Sequence, residues 1–282
     1  MVRKQSARRA PRGYRAQRRR LTNKQQAKSQ SESLPQTDLP TYSHHNPQDL
    51  EAKPITPPQG TGIRGSYQCI IDYNHEPFSV TWSGSQSYPD LVTFPAVEQG
   101  SVALVQQSPT IAGIWKGSTL LDYGSHASIR VSENDPFPII KLAHADDSSL
   151  KLIQHELAAL AEIFSVGFPV AAFDKDWPIQ DNGITCGYRM RRLWKLEMSE
   201  LESRGDDIRQ ALGELHSAGF CHGDFNPSNI MKDDNGDIIL IDFSFAGRIG
   251  DVVPSYFPTW MYPDRIYDAK PDLAALDRFI GL

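Results

Sequence analysis

Cysteine is scarce in this chain: Cys69, Cys186 and Cys221 lie singly along 282 residues, and no CxxC pair is present. That excludes a disulfide framework and a cysteine-based zinc site, leaving three reduced, buried thiols as the expectation. Long apolar runs are missing as well. The longest, such as Ile238–Ile241, are strand-sized, whereas a bilayer-spanning helix needs roughly 20 apolar residues. The N-terminus has no apolar stretch of the kind that directs secretion. These absences lead us to expect an intracellular protein, cytoplasmic or nuclear, with no membrane partner. Acidic residues are absent from the first thirty positions, which hold eleven Lys or Arg. The remaining 252 residues carry 18 basic against 34 acidic groups, a net of −16 within an overall −5. An acidic body repels a phosphate backbone, so nucleic acid is expected to bind only through the basic tail, if at all.

What is present divides the chain. Residues 1–60 are built from Arg, Gln, Ser and Pro without an apolar period. They cannot bury enough surface to offset the entropy of ordering, and the sequence predicts a disordered basic tail. The clusters around Arg8-Arg9 and Arg18-Arg19-Arg20 suit a nuclear localisation signal or a nucleic-acid contact, and fit an amphipathic presequence poorly. Residues 61–117 offer YQCIIDY, FSVTW, DLVTF and SVALV between Gly, Pro and Ser clusters, which reads as a small β-rich extension without a catalytic motif.

An antiparallel meander follows, with strands near Ser118–Tyr123, Ser128–Ser132 and Phe137–Ala143. A helix capped by Asp147 or Ser148 then carries Leu150, Ile153, Leu157 and Leu160 along one face, with Glu156 on its flank. Strands are expected at GFPVAAF and ITCGYRM, and a helix over Asp206–Ala218 with Ile208, Leu212 and Leu215 inward and Gly219 at its end.

The informative stretch is CHGDFNPSNIMKDDNGDIILIDFSFA, residues 221–246. It reads as a polar loop, a short strand, an Asn235-Gly236 turn and an apolar strand ending in Asp242. Asp224 and Asn229 share the loop, and the hairpin returns Asp242 toward them. Three oxygen-bearing side chains at one point suit Mg²⁺, which takes its remaining ligands from water and phosphate.

HGDFNPSN resembles the HxDxxxxN catalytic loop of the protein-kinase-like superfamily, and IDF at 241–243 resembles its metal-binding DFG element. Lys141 in IIKLA stands where the family's strand lysine sits, and Glu156 suits its helix partner. The similarity runs from about Leu120 to Ile280. It implies an α+β, two-lobed kinase-like fold, with an antiparallel N-lobe over 118–194 and a reduced, truncated helical C-lobe over 195–282. It also implies ATP and Mg²⁺ as cofactors. By resemblance, Asp224 is the catalytic base, Asn229 and Asp242 hold the metal, and Lys141, fixed by Glu156, contacts the phosphates. Gly124 and Val131 are what YGSHASIRV keeps of the phosphate-covering GxGxxGxV loop. His222 and Asp272 are expected to brace the catalytic loop.

Three departures matter. Ser244 replaces the glycine after Asp-Phe and should restrict that segment. Gly223 replaces the arginine of kinases switched by loop phosphorylation, so no cation there awaits a phosphate. Asn226 stands where Ser/Thr protein kinases carry lysine, and HGDFNPSNIM equally resembles the loops of aminoglycoside and choline phosphotransferases. YFPTWMYP and PDLAALDRF resemble the end of an activation segment and its following helix, which favours an ATP-dependent kinase acting on protein Ser/Thr hydroxyls. A small-molecule acceptor and a catalytically weak scaffold are the alternatives.

Overall fold

The computed structural model describes residues 51–174 and 178–279. The basic clusters, and the expected tail up to residue 50, lie outside them. From residue 51 the chain joins a sheet instead of continuing as a tail. β1 (Lys53–Pro54) and β2 (Gln59–Gly60) both pair antiparallel with β3 (Ser66–Tyr73), satisfying backbone groups that a tail would leave to water.

β3 forms a hairpin with β4 (Glu76–Ser83), which pairs in turn with β5 (Gly100–Leu104). Alternation along β3 and β4 sends Cys69, Ile71, Val80 and Trp82 into a small core with Phe94. DLVTF is not a strand. Asp90 Oδ1 accepts the amide of Val92 at 2.9 Å, and Pro95 follows, so the segment turns where a ladder would need free donors. A helix that the β-rich reading missed, α1 (Pro109–Lys116), comes next. Ser108 caps it, accepting the Ile111 amide, and Pro109 occupies the first turn, where a missing amide proton costs nothing.

The second sheet is the expected antiparallel one. β6 (Thr119–Tyr123), β7 (Ala127–Val131) and β8 (Ile139–Ala143) form its meander, α2 (Asp147–Ser165) crosses over, and β9 (Ile179–Asp181) and β10 (Ile184–Met190) complete the order β6-β7-β8-β10-β9. α2 is capped by Asp146 rather than Asp147 or Ser148. The Asp146 carboxylate accepts from the amides and hydroxyls of Ser148 and Ser149, four donors that a cap one residue later could not gather. GFPVAAF holds one isolated bridge, Phe173 to Met190.

Beyond β11 (Trp194–Lys195) the chain turns helical. α3 (Met198–Ser203), unforeseen in the sequence, opens with a capping box between Glu197 and Glu200. α4 (Gly205–Ser217) buries Ile208, Leu212 and Leu215 completely, as its spacing predicts. Truncating either leucine to alanine would cost about 2–5 kcal/mol. β12 (Phe220–Cys221) pairs with β15 (Gly247–Arg248), and β11 joins β13 (Ile230–Lys232) and β14 (Ile238–Leu240). The β13–β14 hairpin closes through the Asn235-Gly236 turn, where Gly236 has φ +86°. α5 (Lys270–Phe279) follows. One apolar core joins α2, α4, β13, β14 and α5 beneath the polar loop. Among the described residues no helix is long and apolar enough to cross a membrane.

Candidate active site

Two groups of side chains converge at the end of that core. In the first, β8 aims Lys141 at α2. Its ammonium lies 2.8 and 2.7 Å from the two carboxylate oxygens of Glu156 and 3.0 Å from Asp242 Oδ1. Glu156 is fully buried, where the sequence suggested a flank position. A carboxylate buried this deeply requires cations and donors, and it has them. Tyr188, opposite Lys141 in the β8–β10 register, donates its hydroxyl to Glu156 Oε1 at 3.0 Å. Ser244 Oγ reaches Glu156 Oε2 at 3.1 Å and Asp242 Oδ1 at 2.7 Å.

In the second group, Asn229 Nδ2 donates to the Asp224 carbonyl at 2.8 Å and to Asp224 Oδ2 at 3.3 Å. The Asn226 side chain caps the 3₁₀ turn Pro227–Asn229 and also donates to the Asp224 carbonyl. Asp272, buried at the start of α5, accepts the amides of His222 at 2.7 Å and Gly223 at 2.9 Å. It also meets His216 Nε2 at 3.0 Å. The His222 ring bonds the Ile241 carbonyl at 2.9 Å, and the Ile241 amide donates to the Asn229 carbonyl at 3.0 Å. These last two bonds tie the loop to the strand that ends in Asp242.

The charges act on one another. Burial works against the Lys141 ammonium, yet Asp242 and Glu156 outweigh it and hold the lysine above its usual range. Burial likewise raises Asp242, but Lys141 and the Ser244 hydroxyl overcome it and bring the carboxyl down to about 2. Among the described residues no cation is bonded to Asp224. Burial first, and then the Asp242 carboxylate, push it above its ordinary 3.8.

The donor set suits Mg²⁺. Asn229 spends its amide nitrogen on Asp224, and the bonds to Asp242 converge on Oδ1. Asn229 Oδ1 and Asp242 Oδ2 are therefore uncommitted among the described residues. Both are hard oxygen donors, and Mg²⁺ takes one or two such ligands besides phosphate and water. Among the described residues no group of three or more His, Cys, Asp and Glu forms a self-sufficient metal cage.

Gly124 and Val131 stand apart from these contacts. Gly124 opens the β6–β7 turn, its carbonyl facing His144 Nε2 at 3.0 Å. Val131 ends β7 between Thr119 and Ile139. In the β6–β7 turn the His126 ring lies edge-on to Phe245, with centroids 6.3 Å apart, and burial lowers its proton affinity against the pull of Asp146 and Asp242. Tyr188 and His126 carry no local signal, because their roles depend on strand register and on how a turn folds over another segment.

Residues 158–253 match the model of a phosphotransferase enzyme family, APH. The fold is protein-kinase-like. The chain is also similar to protein kinases. It is 28% identical over 149 residues to the mitogen-activated protein kinase HOG1 of Candida albicans, covering 49% of this chain and 38% of that one. Identity to extracellular signal-regulated kinase 1 of Candida albicans is 26% over 149 residues, covering 51% and 36%. To the serine/threonine-protein kinase RUNKEL of Arabidopsis thaliana it is 33% over 93 residues, covering 29% and 7%. The kinase-like chain thus spans less than two-fifths of the length of these curated relatives.

Proposed function

We propose that this chain is a phosphotransferase using Mg·ATP, with a Ser or Thr hydroxyl on protein as acceptor. The observation that carries the reading is the pairing of Lys141 with both Glu156 and Asp242 at 2.7–3.0 Å. It places a cation between a fully buried orienting carboxylate and one with a free oxygen, next to a loop carrying Asp224. Bound Mg·ATP supplies the transferable phosphoryl group and the charge that neutralises it. Asn229 Oδ1 and Asp242 Oδ2 would hold the metal. Lys141, kept charged and fixed by Glu156, would contact phosphate oxygens. Asp224 takes the proton of the attacking hydroxyl, and its raised proton affinity suits that role. Asp272 orients the catalytic loop through two backbone amides, so the base is positioned before any substrate arrives. Three free, buried cysteines fit an intracellular setting.

A second reading, a small-molecule acceptor, is favoured by the APH match over 158–253, the span that contains the catalytic loop and Asp242. Transfer of labelled γ-phosphate by the wild type and Asp224→Asn, offered protein acceptors and a pooled metabolite mixture in parallel, separates the two. Mutant-sensitive label on protein supports the first reading, and label confined to the metabolites supports the second. Absence of mutant-sensitive transfer and of Mg-dependent ATP binding would make the chain a scaffold on a kinase-like fold.

A further inference from the structure

We infer that Ser244 is a positioning residue for Asp242: its hydroxyl holds one carboxylate oxygen so that the other faces a divalent cation. The inference rests on the phosphotransferase reading and names a residue that this reading leaves without a task.

The side-chain bonds that Asp242 accepts fall on one oxygen. Lys141 Nζ and Ser244 Oγ both approach Oδ1, at 3.0 and 2.7 Å, and Oδ2 is the oxygen left for a metal. A serine hydroxyl carries one proton, so it donates to Asp242 or to Glu156 at any moment. Asp242 is the shorter contact, 2.7 against 3.1 Å. Glu156 has other partners in any case, receiving Lys141 on both oxygens and Tyr188 on Oε1.

Asp242 is less secure. Lys141 divides its ammonium among three carboxylate oxygens, and an ammonium that turns toward phosphate leaves Asp242 Oδ1 to Ser244 alone. The backbone adds to the need. Asp242 has φ +63°, a left-handed conformation that an L-residue other than glycine keeps only when its surroundings fix it. Ser244 is buried, so water does not compete for the bond. Phe243 just before it is locked in the core. The hydroxyl is therefore held at a fixed point on rigid structure, which is what an anchor for a metal-binding carboxylate requires.

The test is calorimetric titration of the full chain with a non-hydrolysable ATP analogue, with excess Mg²⁺ and with EDTA. It compares wild type, Ser244→Ala, Ser244→Gly and Ser244→Thr, each checked for a native melting transition. Loss of a bond to a charged group predicts that Ala and Gly each weaken binding of the Mg²⁺-loaded analogue about tenfold. Binding in EDTA stays unchanged, because Lys141 and Glu156 are intact. Thr keeps the hydroxyl and restores the Mg²⁺-dependent affinity. If Ala binds the Mg²⁺-loaded analogue as tightly as wild type, or weakens binding equally with and without Mg²⁺, Ser244 has no positioning role and the inference fails alone. If the wild type itself shows no Mg²⁺-dependent binding, the phosphotransferase reading fails and takes the inference with it.

Discussion

Arg130 of β7 and Asp72 of β3 meet at 2.8 Å across the junction of the two sheets, and both are buried. Each guanidinium nitrogen has a partner. Its Nε donates to Ser118 Oγ at 2.9 Å and its remaining nitrogen to the Ser118 and Trp115 carbonyls, while the Trp115 ring lies 4.2 Å from the guanidinium carbon. Strand β7, whose Ile129 lies opposite Lys141 in the β7–β8 register, is thus tied through Arg130 to the β extension. This pair joins the extension to the sheet that carries Lys141.

Removing the acid should therefore damage more than the extension. In Asp72→Ala the buried Arg130 loses its countercharge, and breaking a buried pair from one side costs about 3–5 kcal/mol. Urea denaturation should show the midpoint falling accordingly. The double variant Arg130→Met/Asp72→Leu should recover most of the loss. Equal midpoints for Asp72→Ala and wild type would mean that the pair is not buried as described.

Gly223 is a glycine for a stereochemical reason. Its φ is +82°, and a Cβ there would overlap the Tyr262 hydroxyl and the Phe245 carbonyl, which are themselves bonded at 3.0 Å. Gly223→Ala should lower the melting temperature by several degrees, consistent with a backbone-strain cost of about 1–3 kcal/mol. Gly223→Arg, which would restore the residue of phosphorylation-switched kinases, should yield little folded protein. A soluble, stable Gly223→Arg protein would contradict this packing.

Lys141 makes a prediction with a sign in it. Burial already raises the Glu156 carboxyl against the pull of Lys141, and in Lys141→Met, with that cation gone, its folded pKa rises further above that of the unfolded chain. A carboxyl raised in this way favours the folded state at low pH, and that advantage is lost as pH rises through the folded value. Lys141→Met should therefore melt higher at pH 5 than at pH 8, and adding Glu156→Gln should flatten the dependence. Thermal melts across that range decide it. A pH-independent Lys141→Met would show that Glu156 finds another partner.

How much of this was legible beforehand follows from the kind of interaction. The hairpin that delivers Asp242, the apolar face of α4 and the meander around Lys141 are written in local periodicity and turn residues, and these elements are as read. Glu156 was identified through its resemblance to a family position, although helical spacing alone put it on a flank. What escaped depends on distant partners. Arg130 looks like one polar residue in a strand until β3 brings Asp72 to it from 58 positions away. Tyr188 and Ser244 likewise acquire meaning only when β10 and the Asp242 segment close on Glu156. α1 is a different case: Ser108-Pro109 is a legible helix start set among β-rich segments that mask it.

Asp224 should trade stability for chemistry. Burial and the neighbouring Asp242 raise its pKa above 3.8 in the folded chain, so at neutral pH the ionised carboxylate costs stability. That cost is relieved as pH falls through the raised value. Asp224→Asn keeps an acceptor for Asn229 and removes the charge. It should melt above the wild type at pH 7, and the difference should shrink toward acid and vanish below the unfolded value. Activity should move the other way. The wild-type kcat/KM should fall on the acid side as the base takes up its proton, and Asp224→Asn should lower kcat by about 10²–10⁴, the range that a positioned base supplies. Melting curves from pH 4 to 8, alongside the pH–rate profile, test both halves. A variant that is less stable at pH 7 than the wild type would mean that Asp224 is a structural acceptor for Asn229 rather than a strained base.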